Sequence, residues 1–114
     1  MIQRFDVGPR MSEMAIHNGV VYLAGIVGDL AGQDIRGQTR QVLAAVDALL
    51  AQAGTDKSKL LRVEIFLKDI LDFDGMNQVW DEWVMPGHTP PRATVEARLA
   101  NAEWRIEVLV TAAV

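Results

Sequence analysis

Two charged residues in the last quarter of the chain have the types needed to bind and convert a small acid. Arg92 follows Pro90-Pro91, and fifteen residues later Glu107 stands inside an apolar run over 106–110. A charge in such a run is costly unless it has a partner or a ligand. A guanidinium holds a carboxylate through two parallel hydrogen bonds, and a glutamate can take a proton from water and return it. The pair indicates either a small-acid site or, as the simpler alternative, an ion pair within the fold.

Other catalytic chemistries lack their residues in this sequence. The chain has no cysteine, which excludes disulfides, thiol nucleophiles and thiolate metal sites. His17 and His88 are far apart, and no ligand spacing typical of zinc or iron is present. Nucleotide-binding glycine motifs and the GxSxG motif are absent as well. No metal or cofactor is therefore predicted, and the Arg–Glu pair remains, with nearby hydroxyl and amide groups such as Thr94 and Asn77.

Composition limits the class of protein. The 114 residues have a formal net charge of −4, and 50% of them are hydrophobic. This predicts one domain over residues 1–114 with a substantial core. The acidic charge argues against nucleic acid as the main partner. No apolar run approaches the roughly 20 residues that span a bilayer, and the N-terminus lacks the apolar core of a signal peptide. A cytoplasmic location without membrane attachment is expected.

The N-terminal segment has the pattern of a β-hairpin. Asn18-Gly19 separates two β-rich runs, at 14–17 and 20–24. This dipeptide favours a type I′ turn, because both of its positions need a positive φ. Residues 2–6 are expected to add a short edge strand.

Two segments have apolar residues at helical spacing. The first is predicted to run over 34–53, after a glycine-rich loop over 28–37, and Gly54 suits the left-handed residue beyond a helix end. The second is predicted over 73–85, with Asp72 as its N-cap. Its tryptophans are expected to be core residues rather than ligand-stacking ones.

Three further segments alternate as strands do. They lie at 60–67, 92–98 and 105–113. In the first, one side is predicted to carry Leu61, Val63, Ile65 and Leu67, and the other Arg62, Glu64 and Lys68.

The order of these elements predicts a two-layer α+β sandwich. Six strands form one sheet, and both helices cover the same face of it. The opposite face also carries apolar residues, which a monomer would leave partly bare. Apolar surface of this kind indicates contacts between subunits.

Three segments together resemble the RidA/YjgF family, the reactive-intermediate (imine/enamine) deaminases. They are HNGVVYLAG, the acidic DILDFDGMN before the second helix, and PPRATVEARL followed by RIEV. The resemblance covers nearly the whole chain and retains the Arg-to-Glu spacing. It implies a chorismate-mutase-like fold with a mixed sheet, in which the last strand is inserted rather than paired with its predecessor. A tight final hairpin around Asn101-Ala102 would instead place Glu96 opposite Glu107, an unfavourable like-charge pair.

The resemblance also implies a homotrimer with ligand clefts between subunits, a reaction and a set of site residues. The reaction is hydrolysis of 2-imino acids, or their enamine tautomers, to 2-keto acids and ammonia, without a cofactor. Arg92 matches the arginine that grips the substrate carboxylate, and Glu107 matches the glutamate that positions and activates water. Thr94 stands where many members have cysteine. The implied substrate-binding residues are Met11, Gly25, Asn77, Arg92, Ala93 and Thr94.

Some positions depart from the family pattern and place the chain in a divergent branch. Ala24 replaces the serine that precedes the ligand-facing Gly25. Met11 or Arg10 stands where a tyrosine usually closes the pocket. Leu99-Ala100 replaces a common Leu-Pro. Two other functions stay open: a trimer that binds a small carboxylate without turnover, and an endoribonuclease. The acidic composition and the lack of a basic, aromatic-rich groove argue against the latter.

Overall fold

The computed structural model of the protein describes residues 1–29 and 32–114. The predicted loop over 28–37 includes residues 30 and 31, which lie outside the described part. The strands are β1 (Gln3–Phe5), β2 (Met14–His17), β3 (Val20–Leu23), β4 (Ile26–Val27), β5 (Leu60–Leu67), β6 (Arg92–Glu96) and β7 (Ile106–Ala113). The helices are α1 (Ile35–Gln52) and α2 (Phe73–Trp83), with 3₁₀ turns at Lys57–Lys59 and Ile70–Asp72.

The hairpin of β2 and β3 forms as its turn residues predict. Asn18 and Gly19 have φ angles of 51° and 77°, both in the left-handed region that a type I′ turn requires. The two strands pair antiparallel from Met14 opposite Leu23 to His17 opposite Val20. Local turn chemistry therefore fixes this register.

The last strand lies in the middle of the sheet. The strand order is β1-β2-β3-β7-β5-β6, with β7 antiparallel to both neighbours and β5 parallel to β6. This confirms the inserted strand and rules out a final hairpin of β6 with β7. The six predicted strands make up this path, and the structure adds β4, which pairs with β7. Two residues are too short for a periodic pattern, so the sequence did not reveal β4.

Both helices cover one face of the sheet, as predicted. The Asp34 carboxylate caps α1 by accepting a 2.8 Å hydrogen bond from the Gly37 N–H, and Gly54 has the expected positive φ of 82°. Helix α2 ends at Trp83, two residues earlier than predicted, because Val84 is extended. Asp72 is the N-cap residue of α2, as predicted, but its side chain makes no capping hydrogen bond. Its carboxylate instead accepts from Arg105 at 3.2 Å.

One residue of β5 faces the other way from its predicted side. Leu61 is 45% exposed, whereas Leu60 is only 8% exposed and belongs to the core. The cause is a register shift between Leu60 and Arg62, where β5 has one more residue than β7. Beyond it the predicted alternation holds, and Val63, Ile65 and Leu67 are buried.

The second face of the sheet carries no described helix. Its residues alternate with the core, and they include Tyr22, Phe66, Val95 and Leu109. Tyr22 is 52% exposed. We call this surface the open face.

Among the described residues, no helix is long and apolar enough to cross a membrane. The cytoplasmic location stays a prediction.

Candidate functional site

Arg92 begins β6 on the side of the sheet that the helices cover. It lies opposite the buried Val63, and neighbouring residues of parallel strands point to the same face. Its guanidinium carbon is 5.0 Å from the centre of the Trp80 ring and 5.9 Å from that of Phe73. Helix α2 therefore supplies an aromatic surface for this cation.

No carboxylate of the described residues forms an ion pair with Arg92. The ion pairs in this part of the chain are Arg62–Glu64 at 3.8 Å and Arg105–Asp72 at 3.2 Å. Burial lowers the pKa of Arg92 from its ordinary value, and the charge of Asp81 opposes this shift. A guanidinium stays protonated near neutral pH, so a partly desolvated cation is available to an anionic ligand.

Thr94 adds two polar groups beside Arg92. It lies two residues further along β6, on the same face. Its hydroxyl oxygen is buried and has no hydrogen-bond partner within residues 1–29 and 32–114. The Pro91 carbonyl accepts a hydrogen bond from the Val63 N–H, and the Ala97 N–H donates one to the Leu67 carbonyl. The main-chain groups of the odd-numbered residues in and around β6 therefore point toward β5. The Thr94 N–H consequently points away from β5, toward the outer edge of the sheet.

Asn77 and Ala93 are placed differently with respect to Arg92. Asn77 follows Phe73 by four residues and precedes Trp80 by three, so all three share a face of α2. Its half-buried amide therefore belongs to the same region as Arg92. Ala93 lies opposite Glu64 in the register, and its side chain is on the open face. Only the main chain of Ala93 is near the Arg92 side of the strand.

Glu107 lies on the open face, in β7. It pairs with Phe66 of β5 and with Val27 of β4. Its carboxylate packs against the main chain of Gly25, and a Cβ atom at position 25 would collide with it. A glycine at position 25 is therefore what allows the carboxylate to lie there.

Met11 belongs to the same end of the molecule as Gly25. It is exposed, in the loop between β1 and β2, and its carbonyl accepts from the Gly8 N–H. Two residues later, the Glu13 carbonyl accepts a 2.9 Å hydrogen bond from Ala24. This bond ties the end of the loop to the segment that carries Gly25.

Arg92 and Glu107 do not meet within one protomer. Arg92 is level with Val63 and hence with Val110, three residues from Glu107 along β7. Strand spacing then separates the two by about 10 Å across the sheet and about 10 Å along it. They also lie on opposite faces, so the alternative of an internal ion pair is wrong.

The predicted site residues thus form two groups. The carboxylate half-site consists of Arg92, Thr94 and Asn77, with the rings of Phe73 and Trp80. The glutamate half-site consists of Glu107 and Gly25, and Met11 lies in the loop that the Ala24–Glu13 hydrogen bond joins to the Gly25 segment. Trp80 is a core residue, as predicted. Sequence reasoning missed that its ring and that of Phe73 also lie beside Arg92, although helical spacing from Asn77 was a signal for this arrangement.

The cavity beside Arg92 is small. A cavity of about 150 Å³ beside Arg92 is lined by Arg62, Val63, Glu64, Pro91, Arg92 and Ala93. Typical small-molecule sites have about 300–1,000 Å³. A larger cavity of about 420 Å³, beside Lys68 and Arg105, includes neither Arg92 nor Glu107 in its lining. Within the described residues, no three histidine or acidic side chains are grouped to hold a metal ion.

Comparison with known proteins gives one consistent family. The family model described as Endoribonuclease L-PSP matches residues 1–114. A RutC family protein of Haemophilus ducreyi is 48% identical over 114 residues, which are 100% of this chain and 97% of the relative. The RutC family protein YoaB of Escherichia coli is 42% identical over 113 residues, 99% of this chain and 98% of the relative.

Solved structures agree with these relatives. A YjgF family member from Neisseria meningitidis has 46% identity and a TM-score of 0.96, covering 99% of this chain and 94% of that one. The protein YyfA of the Rid family from Yersinia pestis has 35% identity and a TM-score of 0.87, covering 95% and 90%. The chain therefore belongs to the RidA/YjgF family, as its sequence motifs predicted.

Proposed function

We propose that this protein hydrolyses reactive 2-imino acids, or their enamine tautomers, to 2-keto acids and ammonia. The observation that supports this most directly is the carboxylate half-site. Arg92 is a partly buried cation without an ion-pair partner among the described residues, and Thr94 lies beside it with an unpartnered hydroxyl. An α-carboxylate would supply the missing anion and accept from both residues.

The second part of the proposal is that the site is shared between copies of the chain. Because Glu107 and Arg92 lie on opposite faces of one protomer, a ligand on Arg92 is out of reach of the same chain's Glu107. Packing of open faces against each other would bury Tyr22, Phe66 and Leu109. Because β6 is the edge strand of this path, Arg92 lies at the border of the sheet, where Glu107 of a neighbouring copy could approach it. A homotrimer with clefts between its subunits, as the family resemblance implies, meets this requirement.

The chemistry follows from the two half-sites. Arg92 holds the carboxylate, and the Thr94 N–H at the sheet edge is a further donor to it. Glu107 takes one proton from a water as the water oxygen adds to the iminium carbon. The carboxyl group returns this proton to the nitrogen, and the C–N bond breaks to release ammonia. The Glu107 carboxylate, deprotonated again, accepts the proton of the remaining hydroxyl as the keto group forms and releases it to solvent, so one water is consumed for each imino acid.

A coupled assay tests the activity. An amino-acid oxidase generates the imine in the presence of semicarbazide, and the protein is expected to lower the amount of semicarbazone formed. Arg92→Ala should abolish this effect, whereas Arg40→Ala, which removes an exposed arginine of α1, should retain it. Wild-type protein that performs no better than buffer would refute the enzymatic function.

A second candidate is a trimer that binds a small carboxylate without turnover. It is favoured by the fact that Arg92, Thr94 and Asn77 lie together, apart from Glu107, so that binding needs only one chain. A crystal soaked with a 2-keto acid would show the ligand on Arg92, and the coupled assay would show no hydrolysis.

The name of the matching family, Endoribonuclease L-PSP, suggests an endoribonuclease as a third function, but the net charge of −4 argues against RNA binding. Ribonuclease activity that is lost in Glu107→Ala would favour it.

A further inference from the structure

The ring of Trp80 is the nearest described aromatic group to the Arg92 guanidinium. The guanidinium carbon lies 5.0 Å from the Trp80 ring centre, within the range of about 6 Å where a cation over a ring face is attracted. Trp80 is only 6% exposed, so this contact is largely screened from water. Phe73 is further away, at 5.9 Å, and is 38% exposed.

The position of Trp80 is itself fixed by its neighbours. Its ring packs against that of Trp83 at 5.5 Å between centres, with 49° between the planes. The Trp83 indole N–H donates a 3.0 Å hydrogen bond to Asp47 of α1. A continuous set of contacts therefore runs from α1 through both tryptophans to Arg92.

We propose that Trp80 is the positioning residue for the carboxylate-binding arginine. Arginine has a long, flexible side chain, and Arg92 forms no ion pair with the described residues that would fix its orientation. A contact with the ring face restrains the guanidinium without using its N–H groups, which lie in its plane. Trp80 thereby keeps the donors of Arg92 free for a ligand. An acidic partner at the same place would occupy these donors instead.

This inference rests on the proposed function for the identity of the ligand, a 2-imino or 2-keto carboxylate. It adds that affinity depends on a residue that does not touch the ligand. Loss of the ring should allow Arg92 to take other orientations. Ligand affinity should then fall about tenfold, which corresponds to about 1.4 kcal/mol.

Isothermal titration with 2-ketobutyrate tests this in the full chain. Trp80→Leu is expected to raise Kd about tenfold, and Trp80→Phe, which keeps an aromatic ring, should recover most of the affinity. Trp104→Phe is the matched control, because it changes a tryptophan that does not belong to this set of contacts. In the coupled assay, Trp80→Leu should raise KM far more than it lowers kcat. A loss of stability alone would lower the active fraction and leave KM unchanged.

A second measurement applies even where Trp80→Leu does not fold. The chain has three tryptophans, so Trp83→Phe combined with Trp104→Phe leaves Trp80 as the single one. Saturation with 2-ketobutyrate should then change the Trp80 fluorescence, because the charge of the guanidinium over the ring becomes partly neutralised. Unchanged fluorescence at saturation would overturn the inference.

The outcomes separate the two proposals. Wild-type protein that binds no 2-ketobutyrate would overturn the carboxylate site and, with it, the role of Trp80. Wild-type binding with an equal Kd in Trp80→Leu would overturn only the role of Trp80. The ordered series of wild type, Trp80→Phe and Trp80→Leu, with Trp104→Phe equal to wild type, would support both.

Discussion

Mixed oligomers of two inactive variants test whether the site is shared between subunits. Arg92→Ala removes the proposed carboxylate anchor, and Glu107→Ala removes the proposed proton acceptor. Each variant alone should be inactive in the coupled assay. Because the two residues lie on opposite faces of a protomer, a mixed oligomer of the proposed kind can still contain an intact site. Arg92 of a Glu107→Ala subunit would face Glu107 of an Arg92→Ala subunit.

The expected recovery follows from counting neighbours. In an equal mixture, half of the subunits have an intact Arg92, and half of their neighbours have an intact Glu107. On average about one quarter of the sites in a closed ring should therefore regain wild-type activity. If both residues came from the same chain, no mixture could contain an intact site, and recovery would be nil.

Co-expression with two different affinity tags gives the mixed oligomers, and native mass spectrometry verifies their composition. Activity is then compared with that of each parent variant. The matched control combines Arg92→Ala with a double variant that lacks both residues, and it should remain inactive. Verified mixed oligomers without any recovery would refute the shared site.

Three further predictions concern single positions. Gly25→Ala should displace the Glu107 carboxylate and lower kcat at least tenfold, with the Kd for 2-ketobutyrate unchanged; an unchanged kcat would contradict the contact. Gln38 is buried, and its side chain makes three hydrogen bonds to main-chain groups. Gln38→Ala should therefore lower the free energy of unfolding, measured by urea titration, by about 2–4 kcal/mol. A loss below about 0.5 kcal/mol would count against a stabilising role of these hydrogen bonds. The Ser58 hydroxyl and N–H donate hydrogen bonds to the Asp56 carboxylate and lower its pKa below 3.8. These hydrogen bonds therefore stabilise the folded state above pH 3.8, and this stabilisation is lost as the pH falls through the lowered pKa of Asp56. Ser58→Ala should move the pKa of Asp56 up toward 3.8 in an NMR titration, and an unchanged pKa would show that the hydroxyl has no such effect.

Features with local causes were predictable from the sequence. The turn at Asn18-Gly19 and the left-handed Gly54 depend on the φ angles of single residues. The helix α1 depends on a periodic stripe and on the Asp34 cap. The exposure of Leu61 was not predictable, because it results from a shift of β5 against β7, which are distant in sequence.

The site was predictable only in part, for a similar reason. Alternation within a strand places Arg92 and Thr94 on one face, and this can be seen in the sequence. Resemblance to a family predicted Glu107 as their functional counterpart. The relation between the faces of β6 and β7 depends on the register of β5, which lies between them and pairs with both. A single sequence contains no direct signal for that register.

The burial of β7 explains why Arg92 and Glu107 must lie on opposite faces. In the register of the sheet, Arg92 pairs with Val63 of β5, and Glu107 pairs with Phe66 of the same strand. Val63 and Phe66 are three residues apart, so their side chains point to opposite faces of the sheet. A slip of β7 by one residue would bring Glu107 to the face of Arg92. It would also move the buried apolar residues of β7 to the open face: Ile106, Val108, Val110 and Ala112. Exposure of each of the three larger side chains would cost about 1.5–3 kcal/mol, more in total than an ion pair with Arg92 could return. The hydrophobic core thus keeps the two charges apart in every protomer, and a reaction that needs both must take place between two chains.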